Sequence, residues 1–336
     1  MALCLWGRIV LPFLPNVNIG RNKRRSRKSG EIMNIARLYE HGNHSAVDFQ
    51  ALSLYHSSMT IVPVLSLDEP NLHPYRTLRR PLEHQRNGIF VAEGEKVVRK
   101  LLESTLDVLT VLLTPEWLVV YRPLLEKCGG DFRVFVAHRQ LVEAIVGFHF
   151  HQGIMAVARI PHSRTLSQAV MQSKRPALFV AVEGLMNAEN LGVLVRNCAA
   201  FDTDALLVGE TSSSPYLRRA VRNSMGTIFT LPVVHPANLV EAIEDLKSNH
   251  SMRVIAAHPH AEQTMLHQAS LSVDCCVVFG CEGVGISAAV LAACDESVAI
   301  PMQEGVDSLN VGSASAVFLY EVQRQRSNLR LGGKRR

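Results

Sequence analysis

Polar side chains that could do chemistry occur in three stretches of the second half of the chain, each directly after a buried, strand-like run. In the first, after PALFVAVEG, Asn190 precedes a helix predicted to start near Leu191, and Arg196 lies one to two turns into it. The apolar residues whose spacing defines the buried stripe of this helix are Leu191, Leu194, Val195 and Cys198. Arg196 lies beside that stripe, so we expect it either to be a solvated charge or to reach back toward the loop.

A glycine-rich turn, GCEGVGIS, forms the second stretch and follows the run DCCVVFG. Gly280, Gly283 and Gly285 surround Glu282 there, and glycine permits positive φ and a close approach of the backbone to a ligand. The spacing G-x-x-G-x-G differs from the G-x-G-x-x-G fingerprint of dinucleotide-binding folds. The turn is therefore compatible with a ligand site and equally with a purely structural reversal of the chain.

The third stretch, MQEGVDSLNVGSASAVFLYEVQRQR, follows the run SVAIP. Ser308 is a favourable N-cap residue for the helix that comes next, and Asn310 then falls in the first turn of that helix. This helix carries small side chains at Gly312, Ala314 and Ala316, which allows close packing against another backbone. Taken alone, a capping serine needs no catalytic explanation.

The elements that must position these stretches are those of an α/β protein. The strand-like runs of the second half are PALFVAVEG, DALLVG, TIFTLPVV, RVIAAH, DCCVVFG and SVAIP. Alternating with helical patterns, they predict a mostly parallel sheet covered by helices, whose ligands bind beyond the carboxyl ends of the strands. Upstream, GIFVAEG, LDVLTVLLTP, FRVFVA and GIMAVARI predict four strands of a smaller α/β domain.

These patterns divide the chain into five parts. They are a basic, disordered leader (1–60), a small α/β domain (61–162), a linker (163–175), a larger α/β domain (176–328) and a basic tail (329–336). The apolar part of the leader is too short and too interrupted for a membrane span. Three alternatives stay open for the leader, namely an organellar transit peptide, a translation start at Met33 instead of Met1, and a disordered arm that attracts RNA.

Composition restricts the class of partner and the compartment. A formal net charge of +5 and an isoelectric point near 8.9 make the surface mildly basic, which suits a phosphate-bearing partner. The seven cysteines include no C-x-x-C pair and have no histidine at metal-ligand spacing. We therefore predict a reducing compartment and no metal site.

In order and together, the three stretches resemble the three motifs of the SpoU (TrmH-like) branch of the SPOUT RNA methyltransferases. ENLGVLVRN is similar to motif one, FGCEGVGIS to motif two and IPMQEGVDSLNVGSASAVFLYE to motif three. The resemblance covers roughly residues 175–326, and residues 61–160 resemble the ribosomal-protein-like substrate-binding domain that often precedes it. Gly312 and Ser313 depart from motif three, which carries a serine and a small apolar residue in many relatives.

The resemblance implies transfer of a methyl group from S-adenosylmethionine to a ribose 2'-hydroxyl in RNA. It also implies a parallel-sheet SPOUT domain with a deep trefoil knot, in a homodimer with each site near the interface. The residues that match donor-binding positions are Gly280, Ile300 and Leu309. Arg196 matches the catalytic arginine, and its matching supporting residues are Asn190, Glu282, Ser308 and Asn310. Because arginine stays protonated, we expect Arg196 to clamp an RNA phosphate and stabilise the alkoxide, while a phosphate oxygen or Glu282 receives the proton.

Arginines outside the motifs are candidates for contact with the RNA backbone. They are Arg79, Arg80 and Arg86 in the small domain, and Arg218 and Arg222 on one face of a predicted helix in SPYLRRAVRNSMG. A ribosomal-protein-like domain favours ribosomal RNA over transfer RNA, and the cysteine usage favours the cytoplasm, with organellar import as the alternative.

Two other functions stay open. One is a catalytically weak RNA-binding or ribosome-assembly homologue, and the other is an unrelated nucleotide-binding α/β enzyme, although the chain lacks the G-K-[ST] of a phosphate loop.

Overall fold

Two sheets with their helices make up the part of the chain that the structure, a computed structural model, describes. The described residues are 60–66, 68–129, 131–147, 153–260 and 264–332, with side chains as far as residue 327. The predicted leader lies outside them except for Thr60, and so do the last four residues of the predicted tail. Both sheets belong to one compact unit of the chain, Ser53–Arg336.

Five strands form the sheet of the first half. They are β1 (Thr60–Pro63), β2 (Ile89–Glu93), β3 (Val108–Leu113), β4 (Arg133–Val136) and β5 (Ile154–Arg159). In the order β1-β4-β3-β5-β2, the first three strands run parallel, and β5 is antiparallel to both of its neighbours. The helices are α1 (His73–Arg76), α2 (Pro81–Arg86), α3 (Glu95–Leu102), α4 (Pro115–Cys128) and α5 (Arg139–Val146). All four strands expected here are confirmed, and β1 adds a fifth.

Six strands, all parallel to their neighbours, form the second sheet. They are β6 (Leu178–Val182), β7 (Ala205–Val208), β8 (Val233–Val234), β9 (Arg253–Ala257), β10 (Cys275–Phe279) and β11 (Glu296–Val298), in the order β11-β9-β10-β6-β7-β8. The helices are α6 (Leu166–Gln172), α7 (Ala188–Ala200), α8 (Arg218–Asn223), α9 (Leu239–Ser248), α10 (Ala288–Ala293) and α11 (Val311–Gly332). The parallel sheet is confirmed. The three polar stretches leave β6, β10 and β11 at their carboxyl ends, which lie along one edge of such a sheet.

One predicted strand, TIFTLPVV, is mostly wrong. Thr227–Phe229 forms a single 3-10 turn, and only the two residues of β8 pair with β7. Gly226 enters the turn with a φ of 74°, and Pro232 has no N–H to donate to a strand ladder. The Phe229 ring instead packs against Phe90 of β2, with ring centroids 5.6 Å apart. Phe229 therefore contributes to the contact between the sheets instead of to a strand.

A buried ion-pair cluster also joins the two sheets. The Glu93 side chain, at the end of β2, is only 9% exposed and accepts hydrogen bonds from Arg218 and, at 3.0 Å, from Arg222. Beside it, the Phe90 and Tyr216 rings lie 5.5 Å apart. The shared face of the two arginines is thus turned to Glu93. Because Arg218 is 20% exposed and Arg222 57%, Arg222 is the more accessible to RNA, and RNA contact by either stays a prediction.

The structure adds detail at the predicted segment boundaries. Helix α6 occupies much of the predicted linker, and α11 continues to Gly332, inside the predicted tail. Among the helices in the described ranges, none is both long enough and apolar enough to span a membrane.

Candidate active site

The first polar stretch is held by the cap of a helix. Helix α7 begins at Ala188, three residues before the predicted start. The Asn187 side chain accepts hydrogen bonds from the N–H groups of Glu189 and Asn190, at 2.8 and 3.1 Å. The predicted stripe of α7 is confirmed, because all four of its apolar residues are fully buried. Arg196 is exposed, and no described residue forms a hydrogen bond or ion pair with its side chain.

Backbone contacts close the glycine-rich turn. Cys281 and Gly285 exchange two backbone hydrogen bonds of 3.2 and 3.1 Å, and Gly285 has a φ of 75°. Gly280 lies so close to this turn that a Cβ atom on it would be 2.2 Å from the carbonyl carbon of Gly285. Glu183, directly after β6, accepts from the Ser287 N–H and hydroxyl at 2.8 and 2.6 Å. The end of the turn is thus tied to the neighbouring strand.

Asn310, and not Ser308, caps the helix of the third stretch. Helix α11 begins at Val311, and Oδ1 of Asn310 accepts from the N–H of Gly312 at 2.9 Å. An N-cap side chain bonds to N–H groups two or three positions further on, so Ser308 lies too early in the chain and its expected capping role is wrong. A Cβ on Gly312 would come 2.7 Å from Cγ1 of Val193 on α7. Gly312, one of the two residues that depart from motif three, therefore permits close packing of α11 on α7.

A chain of side-chain hydrogen bonds connects the three stretches. Nδ2 of Asn310 donates to Oδ1 of Asn190 at 3.1 Å, and Nδ2 of Asn190 donates to Oε1 of Glu282. Because Oδ1 of Asn310 already accepts from the backbone of α11, its amide can only present Nδ2 to Asn190. Glu282 and Asn310 are exposed, and Asn190 is partly buried. The Glu282 carboxylate is thus oriented by residues of both other stretches and remains accessible to a ligand.

A cavity of about 400 Å³ lies at the carboxyl ends of β9, β10 and β11. All three predicted donor-binding residues line it, namely Gly280, Ile300 and Leu309. Two predicted catalytic residues, Glu282 and Ser308, line it as well. Asn190 and Asn310 are connected to it through Glu282, whereas Arg196 lies outside its lining. The structure therefore brings together the residues of the predicted donor site, and their individual roles stay predictions.

The thiol of Cys281, another lining residue, differs from the buried thiols. The backbone N–H groups of Gly283 and Val284 hold its pKa below the usual value. Burial has the opposite effect on Cys198, whose pKa it raises to about 12. No group of three or more potential metal ligands occurs within the described residues.

A second concave surface, of about 510 Å³, lies beside α2 of the first sheet. The three predicted RNA-contact arginines of the small domain, Arg79, Arg80 and Arg86, all line it, together with Asn87. Arg80 also lies 3.7 Å from the Glu83 carboxylate. The three guanidinium groups share one surface, and their contact with RNA stays a prediction.

Two residues of the site were missed by reasoning from sequence. Glu183 ties the glycine-rich turn to β6, and His258 lines the cavity directly after β9. The Nδ1 atom of His258 is buried, and no hydrogen-bond partner for it is found among the described residues. Each residue directly follows a buried strand. The rule that ligand sites lie beyond the carboxyl ends of parallel strands could therefore have identified both.

Sequence comparison matches the C-terminal half of the chain to a known family and most of the chain to known proteins. Residues 177–320 match the model of the SpoU rRNA Methylase family. A Mycobacterium bovis protein named an uncharacterized tRNA/rRNA methyltransferase is 32% identical over 281 residues, which cover 82% of this chain and 95% of that protein. The 23S rRNA (guanosine-2'-O-)-methyltransferase RlmB of Haemophilus influenzae is 29% identical over 193 residues, which cover 56% of this chain and 77% of that protein.

Structural comparison matches solved methyltransferases over more than three quarters of the chain. A crystal structure of an RNA 2'-O ribose methyltransferase is similar with a TM-score of 0.65 and 28% identity, over 79% of this chain and all of that one. The SpoU methyltransferase AviRb from Streptomyces viridochromogenes, in complex with the cofactor AdoMet, has a TM-score of 0.68 at 22% identity, over 77% of this chain and all of that one. At that lower identity, AviRb is evidence for the fold alone.

Proposed function

The chain belongs to the SpoU rRNA methylase family, and we propose that it transfers a methyl group from S-adenosylmethionine to the 2'-hydroxyl of a ribose in structured RNA. One observation carries the proposal. The hydrogen bonds from Asn310 through Asn190 to Glu282 connect all three motif stretches beside the cavity that the predicted donor-binding residues line. The names of RlmB and of the 28% identical structure both specify 2'-O chemistry, which supports a ribose hydroxyl as acceptor. RlmB is named for 23S rRNA, which favours ribosomal over transfer RNA.

The cavity residues fit S-adenosylmethionine. A volume of about 400 Å³ is within the range of small-molecule sites. Gly280 packs against the backbone of Gly285 with no room for a Cβ atom, and both glycines line the cavity, so main-chain groups of the turn are available to a bound molecule. AviRb, of the same fold, is described with AdoMet bound. When bound, the donor supplies a methyl group on a sulfonium, which is a good leaving group.

The remaining task for this chain is to make a weakly acidic ribose hydroxyl nucleophilic. Arg196 is exposed and has no partner among the described residues, so its guanidinium is available to an RNA phosphate and to the developing alkoxide. The proton passes to a phosphate oxygen or to Glu282, whose carboxylate Asn190 orients. Holding both reactants in line supplies much of the acceleration.

Replacement of Arg196 tests this role. In Arg196→Lys the charge stays, but the planar fork that bonds a phosphate through two N–H groups is lost. We expect turnover to fall while affinity for S-adenosylmethionine is unchanged, as measured by single-turnover methyl transfer and calorimetry. Near-normal turnover with unchanged RNA affinity would refute the clamp.

We extend the proposal to the finer architecture and setting. The chain contains the trefoil knot of its family in the larger domain, and the first sheet is a ribosomal-protein-like domain that binds RNA. The protein forms a homodimer. Val317 and Tyr320, three residues apart on α11, and Val193 on α7 are exposed apolar side chains that support such an interface. The described cysteines are free, which supports a cytoplasmic location.

Mapping of 2'-O-methylated nucleotides tests the function. We expect at least one methylated ribosomal RNA nucleotide to disappear in cells that lack the protein, and to return with the wild-type gene but not with Arg196→Ala. Loss at a transfer RNA nucleotide instead would correct the RNA class. An unchanged map together with defective ribosome assembly would favour the alternative, a catalytically weak RNA-binding or assembly homologue.

A further inference from the structure

The charged side chains that line the cavity, apart from its two histidines, are acidic. Glu282 and Asp307 contribute one carboxylate each, and no lysine or arginine belongs to the lining as far as the structure describes it. Both carboxylate side chains are exposed, so a molecule in the cavity can reach them. The chain as a whole carries a net charge of +5. An acidic cavity is therefore a local feature of this site and not a consequence of composition.

Asp307 differs from Glu282 in having no role in the site so far. It directly precedes Ser308 and Leu309, and all three residues line the cavity. Within the described ranges, no residue forms a hydrogen bond or ion pair with the Asp307 side chain, whereas Glu282 accepts from Asn190. The resemblance assigns Asp307 neither a catalytic nor a donor-binding role. A carboxylate that no protein cation neutralises keeps its full attraction for a positive charge on a ligand.

Methyl transfer changes the charge of the ligand in the cavity. S-adenosylmethionine carries a sulfonium, an ammonium and a carboxylate, whereas S-adenosylhomocysteine has a neutral thioether in place of the sulfonium. Transfer breaks the bond between sulfur and the methyl carbon, leaves that electron pair on sulfur, and forms a bond from the ribose 2'-oxygen to the methyl carbon. The hydroxyl proton passes to a phosphate oxygen or to Glu282, as proposed above. The net charge of the ligand thus falls from one positive charge to zero.

We propose that Asp307 is a specificity-determining residue, which makes the cavity favour the cationic donor over the neutral product and so promotes product release. This inference rests on the proposed function. Two unit charges about 4–6 Å apart in water attract each other by an energy that corresponds to about three- to sixfold in Kd. The ammonium and carboxylate are common to both ligands, so their interactions with Asp307 cancel in the ratio of the two Kd values. That ratio therefore reports on the sulfonium.

Substitutions that change one charge test the selectivity. Asp307→Asn removes the charge and keeps the shape of the side chain, and Asp307→Glu keeps the charge. Glu304→Gln is the matched control, because it removes an exposed carboxylate of the same loop that lies outside the cavity lining. Each protein is titrated with both ligands by calorimetry at low ionic strength and at pH 8, where imidazole is ordinarily neutral. Its Tm is measured to establish that it folds.

We expect Asp307→Asn to lower the ratio of Kd for S-adenosylhomocysteine to Kd for S-adenosylmethionine about three- to sixfold, chiefly by weakening S-adenosylmethionine. Asp307→Glu and Glu304→Gln should keep the ratio within about twofold of wild type. An unchanged ratio in Asp307→Asn, or an equal change in Glu304→Gln, overturns this inference alone. Wild-type protein that binds neither ligand overturns the proposed function together with it.

A measurement on the wild-type protein covers the case in which the variants do not fold. Raising the ionic strength from about 0.01 to about 1 M shortens the Debye length from about 30 to about 3 Å, which screens the attraction between exposed charges. Kd for S-adenosylmethionine should therefore rise at least about twofold more than Kd for S-adenosylhomocysteine. Equal salt dependence of the two ligands contradicts the proposal.

Discussion

Replacing Gly280 with alanine should weaken donor binding much more than the same change at Gly283. A Cβ at position 280 would lie 2.2 Å from the carbonyl carbon of Gly285 and 2.5 Å from the Ile286 nitrogen. Ordinary carbon contacts are about 3.5 Å, so the turn has to move away by about 1.3 Å. Backbone cannot rotate aside as a flexible side chain can. Overpacking of this kind costs about 1–3 kcal/mol, which corresponds to about 5- to 150-fold in Kd if the turn must close around the donor.

Gly283 is the matched control in the same turn. A Cβ there meets nothing within 4 Å, and we expect Gly283→Ala to change Kd less than about twofold. Kd for S-adenosylmethionine is measured by calorimetry for both variants, beside the Tm of each. Equal Kd values for Gly280→Ala and wild type, or equal losses in the two variants, would show that the packing of Gly280 on the turn does not shape the donor site.

Three further predictions concern the junction, the cavity thiol and the RNA surface. Glu93→Gln should lower the free energy of unfolding by about 2 kcal/mol and Tm by about 4–8 °C in a thermal scan, because two arginines lose a buried anion. Asp107→Asn, which breaks an exposed pair with Arg159, should leave Tm unchanged, and equal losses would contradict the reasoning. Iodoacetamide should label Cys281 faster than Cys128, whose pKa burial raises, and labelling of Cys281 should slow as pH falls through its lowered pKa and the thiolate is protonated. Peptide mass spectrometry measures both rates, and faster labelling of Cys128 refutes the assignment. Arg86→Gln should lower RNA affinity and reduce the slope of log K against log salt by about 1 with donor affinity unchanged, whereas an unchanged slope removes Arg86 from the interface.

The periodicity and order of residues were sufficient to predict most of the fold. The segments LFVAV and CCVVF are apolar at every position, and only a strand covered on both faces buries them fully. The run TIFTLPVV is also largely apolar, but it does not form one strand, because a turn begins at Gly226 directly before it, Pro232 interrupts it and Phe229 packs on the other sheet. That contact joins residues 139 positions apart, and no local pattern contains it.

Residue types and their order were also enough to predict where a ligand site lies, since polar residues directly after parallel strands meet at one edge of the sheet. Which atoms bond there depended on three-dimensional packing. Ser308 and Asn310 are both favourable cap residues by type, and Asn310 caps α11 because the helix begins at Val311, where Gly312 packs on α7. From sequence, Arg222 is expected to be a solvated or RNA-facing charge, whereas in the structure it pairs with Glu93 from the other sheet. The strands and helices can be predicted from short stretches of sequence, because their patterns are local. The bonds between them cannot, because they join atoms that only long-range packing brings together.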